Sequence, residues 1–334
     1  MKQNFYSEKI ICVLLAVVYF YSQLHLVMMY AFSHEITLVD LVCGLLLFKV
    51  GEQIHVVFDG LSKNFWICVA CIFLLIVLIL PQTIYIYLFF SFSFMKVRDA
   101  YRSSNLRYYK ILGRAIGFIL SPLSSVYLIA LAPILFILCW LNKSSIDLDP
   151  KIKINVISTY KNLSTYLLMM LHHCHYFVYA YSIPILYATS TSIKNNAAGV
   201  MFFVGWLAYN AYEKLIKPNK IYFLLGHVLL SISLIALFYA TTFQMITILW
   251  FLTGLGGGTV YMLQSFIPKL TTESTKDLRI FEGFGHIIGL SCWGGVLLIG
   301  YSYRLTFMLG GILGLIVVVV TFLSFMEKKI EKNH

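Results

Sequence analysis

The chain has 334 residues, 60% of them apolar and only 12% charged, with a mean hydropathy of +0.84 and a net charge of +11. A soluble domain carries about twice that charged fraction, a disordered chain is far less apolar, and a nucleic-acid binder would not set 26 Phe and 23 Tyr in long uncharged runs. The composition points to an integral membrane protein whose surplus of basic residues marks topology.

A helix needs about 20 mostly apolar residues to cross a hydrocarbon core ~30 Å thick. Cutting the apolar runs at charge clusters, Pro and Asn predicts twelve spans, near residues 10–31, 36–57, 65–80, 82–97, 109–125, 127–142, 163–188, 197–213, 220–240, 243–265, 281–301 and 305–326. The third and fourth are short and meet at Pro81-Gln82; fused, they would make a helix about 48 Å long, more than the bilayer accommodates. Fusion would also carry Lys96, Arg98, Arg102, Arg107 and Lys110 to the opposite side. With twelve spans and the N-terminus inside, Lys194 and Arg304 are the basic residues outside, Lys49 and Arg114 lie within spans, and the rest of the 25 are cytoplasmic, as the positive-inside bias requires. Both termini are then cytoplasmic, and the expected location is the bacterial cytoplasmic membrane. The first run lacks a small-residue cleavage site and reads as a span, not a removable signal. The cysteines lie in or at the spans and are expected as free thiols. Cys68 and Cys71 have no second pair, so neither a redox nor a zinc role is assigned.

Ionisable residues inside spans are costly and are therefore functional candidates. In the second span Lys49, Glu52 and His55 are three residues apart; Lys49 and Glu52 either neutralise each other as an internal pair or Glu52, the deepest acid, carries a coupling proton. At the entry to the fifth span, LRYYKILGRAIG (Leu106 to Gly117) recurs at the entry to the eleventh as LRIFEGFGHIIG (Leu278 to Gly289). The repeat divides the chain into two six-helix bundles of the same topology, 1–142 and 163–334, joined by a cytoplasmic loop, 143–162. Parallel repeats of this kind describe a transporter built around a central site. Arg114 and His286 are equivalent in the repeat, one turn inside the cytoplasmic face, and Glu282 sits at the mouth of the eleventh span. Arg114 either snorkels to that face or helps to close an inner gate. The seventh span holds the densest polar group: His172, His173, Cys174, His175, Tyr176, Tyr179 and Tyr181. At 100° per residue His172, His175, Tyr176 and Tyr179 form one stripe, with His175 near mid-span. Only His172 and His175 of the HHCH run share a face and no acid is near in sequence, so no metal site is expected. Gly254 to Gly258 lies inside the tenth span and reads as a packing or flexing element.

With this topology, repeat and glycine pattern, the sequence resembles the major facilitator superfamily of secondary transporters. That family has a GxxxGPxxGG motif in its fifth helix, matched here by Gly113, Gly117, Ser121, Pro122, Ser124 and Ser125; the eleventh span has Gly285, Gly289, Gly294 and Gly295. Small residues four apart let helix backbones approach closely. The family's loop signature after the second helix survives as Asp59, Gly60 and Lys63, and its counterpart after the eighth as Glu213, Lys214 and Lys217. The Arg motif of exporters is absent from the fourth span.

The resemblance implies an all-α membrane fold of about twelve helices in two pseudo-symmetric bundles, with the first, fourth, seventh and tenth helices lining the cavity. Tyr21, Gln23 and His25 match the first stripe, Tyr85, Phe89 and Ser93 the fourth, and Trp250, Thr253, Gly257, Tyr261 and Gln264 the tenth. It implies alternating-access transport, with import and export both left open; the His and aromatic stripes themselves point to a small amphipathic or aromatic solute, with protons coupled through His or Glu52. The alternatives are an acyltransferase-like membrane enzyme, for which His34 beside Glu35 is the nearby pair, and a scaffold or sensor derived from the same fold. No P-loop, dinucleotide fingerprint, catalytic carboxylate pair or nucleophile elbow appears, so an enzyme, a cofactor and a nucleic-acid partner are not expected. The expected partners are the solute, protons and membrane lipids, with the chain as a monomer.

Overall fold

In the computed structural model the described residues are 2–54, 63–80, 83–100, 107–124, 128, 131–141, 163–190, 195–215, 219–260, 262 and 272–330. Among these the regular structure is all helical. In chain order the helices are α1 (Lys2–Met28), α2 (Leu38–Ile54), α3 (Lys63–Ile79), α4 (Ile86–Ala100), α5 (Arg107–Leu120), α6 (Leu131–Leu141), α7 (Leu163–Phe177), α8 (Ser182–Ser190), α9 (Asn195–Leu215), α10 (Lys220–Tyr239), α11 (Phe243–Gly257), α12 (Thr272–Leu298) and α13 (Arg304–Ile330). The chain forms two compact units, residues 1–153 with 194–200, and residues 154–193 with 201–334.

The helix ends follow local chemistry. Thr37 and Asp40 form a reciprocal cap at the start of α2: the Asp40 amide donates to the Thr37 hydroxyl at 3.2 Å while the Asp40 carboxylate accepts from the Thr37 amide at 3.0 Å. Asn219 accepts from the Ile221 amide at 2.8 Å and Thr242 from the Met245 amide at 3.3 Å, opening α10 and α11. Helix α1 runs on through a π-helical turn, Met29–Ser33, which His34 closes in the left-handed conformation at φ 55°.

Among the described residues four segments are long and apolar enough to cross a bilayer: Glu8–Ser33, Lys220–Tyr239, Leu278–Leu298 and Arg304–Leu323. Their outward surfaces are apolar as well, with Ile312, Ile316, Val319 and Leu323 exposed on α13 and Ile221, Leu225 and Ile232 on α10. A helix apolar all round belongs in lipid, and the chain is an integral membrane protein.

The seventh expected span differs from the prediction. Residues 163–188 do not form one helix: α7 ends at Phe177, residues 178–181 wind through tight turns, and α8 begins at Ser182. Pro184 has no N–H to give the Ala180 carbonyl and its ring crowds that group, so the chain closes shorter bonds, Tyr179 N–H to Tyr176 O at 3.3 Å and Ser182 N–H to Tyr179 O at 2.9 Å. In the tenth expected span α11 ends at Gly257, residues 258 and 259 turn, and residues 260 and 262 are helical again; residues 261 and 263–265 lie outside the described residues.

The repeat read from the sequence is a packing repeat. In the first unit α5 lies on α1, where a Cβ on Gly113 would stand 2.3 Å from the Val13 carbonyl oxygen and one on Gly117 2.6 Å from that of Val17. In the second unit α12 lies on α7, where a Cβ on Gly285 would stand 2.4 Å from the Met170 carbonyl oxygen and one on Gly289 2.2 Å from that of Cys174. Each pair sets two glycines one turn apart against two carbonyls one turn apart, the close backbone approach that small residues permit.

Candidate functional site

The polar stripe of α7 is buried in the second unit. His175 is 0% exposed, His172 2% and Tyr179 1%, and α10 adds His227, 0% exposed. The His227 Nδ1 lies 3.0 Å from the Phe223 carbonyl, which only accepts, so that nitrogen carries the hydrogen. The Thr259 hydroxyl, which donates to the Gly256 carbonyl at 2.7 Å, stands 3.0 Å from the same nitrogen. His227 Nε2 is then the acceptor for Nδ1–H of His172 at 2.7 Å. His175 donates its own Nδ1–H to the His172 carbonyl, which leaves Nε2 with a lone pair. That Nε2 is buried and has no hydrogen-bond partner among the described residues.

Three imidazoles therefore stand together, with ring centroids 4.8 Å apart for His172 and His175, 4.9 Å for His172 and His227, and 6.0 Å for His175 and His227. Charging two rings about 5 Å apart costs about 3 kcal/mol at an effective dielectric constant of ~20. Among the described residues no group of three His, Cys, Asp or Glu side chains is arranged to hold a metal. Tyr179 places its ring 6.1 Å from His175 and 6.4 Å from Trp250, and Tyr176 lies 5.6 Å from Tyr179.

His173, on the adjoining face, meets α12. Its Nδ1 is 3.0 Å from Nε2 of His286 and its Nε2 is 3.8 Å from the Glu282 carboxylate. Trp250 is 2% exposed and fixed in the packing: its indole N–H donates to the Phe202 carbonyl at 3.2 Å, and its ring fills the space that Gly205 leaves on α9. Thr253 is buried and donates to the Leu249 carbonyl at 2.8 Å. Tyr261 and Gln264 lie outside the described residues.

In the first unit Tyr21 donates its hydroxyl to the Leu123 carbonyl at 2.7 Å and stacks at 4.8 Å on His25, whose Nδ1 lies 2.8 Å from the Ser121 carbonyl. These two expected cavity residues thus tie α1 to the turn after α5. Gln23, 5% exposed, has its amide nitrogen buried without a partner among the described residues, and the hydroxyl of Ser22, 1% exposed, is in the same state. Tyr85, just before α4, and Phe89 on it are exposed, and Ser93 is buried, donating to the Phe89 carbonyl at 2.7 Å. Lys49 and Glu52 are 5% and 6% exposed and joined at 2.8 Å, and Glu52 also accepts from the Tyr19 hydroxyl. The internal ion pair is therefore formed, with an added phenol. Arg114 lies over the Phe20 ring at 4.1 Å. His55 and Asp59 lie outside the described residues.

Sequence reasoning missed His227 and Ser22. A lone His beside Gly226 in an otherwise apolar ninth span was the available signal for His227; Ser22 had none, since a serine in a helix usually returns its hydrogen to its own backbone.

No protein-family model matches the sequence, and no curated protein matches it. Solved structures do. The nucleoside transporter NupG superposes with a TM-score of 0.74 at 13% identity, covering 97% of this chain and 99% of the other. A D-xylose-proton symporter superposes with a TM-score of 0.68 at 10% identity, covering 95% and 97%. The chain has the major facilitator fold. At these identities the likeness is one of architecture.

Proposed function

We propose that the chain is a secondary transporter that moves a small solute by alternating access, with His175 of α7 and Tyr179 of the turn after it contacting the solute and protons as the coupling ion. The observation that carries this reading is the buried Nε2 of His175, an acceptor without a partner among the described residues. Burying a polar atom unsatisfied costs about 1–3 kcal/mol, and a solute offering an O–H or N–H removes that cost. Ser22 and Gln23 of α1, the helix that corresponds to α7 in the repeat, are also buried with polar atoms left over, so both repeats keep hydrogen-bonding capacity for a solute. Tyr179, Tyr176 and Trp250 supply the aromatic surface beside the histidine. The polar groups are gathered within the helices rather than at one membrane face, which favours transport over an enzyme. We place the protein in a bacterial cytoplasmic membrane, with both termini inside by the distribution of its basic residues.

The test is flux through proteoliposomes of the purified chain under an imposed pH gradient, with a panel that includes uridine and D-xylose as probes because the similar structures are named for a nucleoside and a xylose. A solute that moves with wild-type protein should slow about tenfold, equivalent to about 1.4 kcal/mol, in His175→Ala and Tyr179→Ala, while both variants insert and fold. Full flux in both variants removes these residues from the site. Absence of flux for the whole panel in both directions argues against transport.

A further inference from the structure

The tautomers forced by the surrounding carbonyls carry an inference that rests on the transport reading and goes past it. His175 and His227 each point Nδ1–H at a backbone carbonyl, of His172 and Phe223. His172 spends its Nδ1–H on His227. Every hydrogen of the cluster is therefore committed inward, and the Nε2 of His175 is a lone pair with no donor among the described residues. Two things can occupy such an atom: a donor group from a solute, or a proton. An N–H donor and a proton cannot occupy it together, because a protonated Nε2 is itself a donor and an amide-type or indole N–H has no lone pair with which to accept from it.

We propose that solute and proton compete for one atom, the Nε2 of His175, so that this site exchanges one solute for one proton. The solute class is one that presents an N–H donor from an otherwise apolar or aromatic frame, beside the surrounding tyrosines and Trp250. The stoichiometry follows from geometry. His175 faces His172 and Tyr179 of α7 and its own extension, and His227 of α10, with ring centroids at 4.8, 6.1 and 6.0 Å. From α12, His286 and Glu282 reach α7 at His173, at 3.0 and 3.8 Å; from α13, Gly310 packs on Tyr179. A charge on His175 thus has two imidazoles within about a Debye length and little water to screen them, and the second proton is opposed by the first. The group takes up one proton as a unit.

The experiment uses the full chain in lipid nanodiscs with ¹⁵N-labelled histidine, read by solid-state NMR across the range in which imidazole titrates, with His172→Gln and His175→Gln for assignment. Expected without solute is a single protonation shared by His172 and His175. Two independent protonations, or none at His175, overturn the proposal. With uridine, which presents an imide N–H, at saturation, the His175 Nε2 resonance should move to the hydrogen-bonded position and half-protonation should require about tenfold more acid. If uridine does not disturb that resonance, the proposal is overturned. His175→Gln supplies a second arm, because a glutamine oxygen accepts from a solute but takes no proton. Solute binding should stay within a few-fold of wild type and lose its pH dependence. Retention of the wild-type pH dependence in His175→Gln overturns the exchange while leaving transport intact; one-proton titration in a chain that moves no solute sinks the transport reading alone.

Discussion

Arg114 holds its guanidinium carbon 4.1 Å from the centroid of the Phe20 ring. In the second unit the repeat-equivalent pair is His286 and Phe177, with ring centroids 4.4 Å apart. The same helix-on-helix contact is thus built twice, once with a permanent cation and once with an imidazole. A cation over a ring contributes about 0.5–2 kcal/mol, more where water is excluded. Arg114→Gln should therefore lower the apparent melting temperature of the detergent-solubilised protein, Arg114→Lys should recover part of the loss, and Phe20→Leu should match Arg114→Gln. Equal melting of Arg114→Gln and wild type would show that the arginine stabilises nothing and leave only its gating role.

The glycines of α12 separate packing from helix propensity. Gly289→Ala would put a methyl 2.2 Å from the Cys174 carbonyl oxygen, and backbone must move to admit it. Overpacking of this kind costs about 1–3 kcal/mol or more. A Cβ on Gly295, in the same helix, meets nothing within 4 Å, so Gly295→Ala should be neutral or gain up to about 1 kcal/mol from helix propensity. The check is thermal unfolding followed by size-exclusion monodispersity for both variants; similar behaviour of the two would mean that α7 and α12 are not held as closely as described.

These contacts show which parts of the molecule a sequence makes visible. Gly113, Gly117, Gly285 and Gly289 were legible because a helix crossing that needs small residues every fourth position writes them into the chain twice. The membrane spans were legible because lipid demands apolar length. The break after Phe177 was less so, since the apolar run continues through Pro184 and hydropathy does not record a missing N–H. The histidine stripe of α7 could be drawn from periodicity, but its partner His227 comes from a helix distant in sequence, and long-range pairing leaves no mark in one chain. For Trp250, Tyr21 and His25 the sequence indicated aromatic and polar groups on the expected helices. Their hydrogen bonds to the backbone of Phe202, Leu123 and Ser121 depend on loop and helix positions that no periodicity specifies.

A chain of hydroxyls gives a stability test away from the candidate site. Trp293 of α12 donates its indole N–H to Ser182 of α8 at 2.9 Å; Ser182 donates to Thr306 of α13 at 2.7 Å; and Thr306 donates to the Tyr303 carbonyl at 2.6 Å. All three side chains are buried at 0% exposure, and bonds in series polarise one another. Ser182→Ala leaves the Trp293 N–H without its acceptor and should cost about 1–3 kcal/mol. Ser182→Ala combined with Trp293→Phe should cost less than the sum of the two single changes. Strict additivity in chemical unfolding would break the link between these residues.

Lys49, Glu52 and Tyr19 allow the same logic to decide what the buried acid of α2 does. Glu52 accepts from Lys49 at 2.8 Å and from the Tyr19 hydroxyl, with both charged residues less than a tenth exposed. Removing one member of a buried pair costs about 3–5 kcal/mol because the other charge stays desolvated, whereas replacing both by apolar groups is often neutral. Glu52→Gln should therefore be strongly destabilising, and Glu52→Leu with Lys49→Met should restore near wild-type stability. If the double variant also keeps pH-driven flux in proteoliposomes, the pair is structural and coupling lies with the histidines of α7. If stability returns while flux is lost, Glu52 carries the proton. A Glu52→Gln protein as stable as wild type would instead show that the carboxyl is already neutral in place, held by the Tyr19 hydroxyl rather than by the ammonium, and the ion-pair account of α2 would fall.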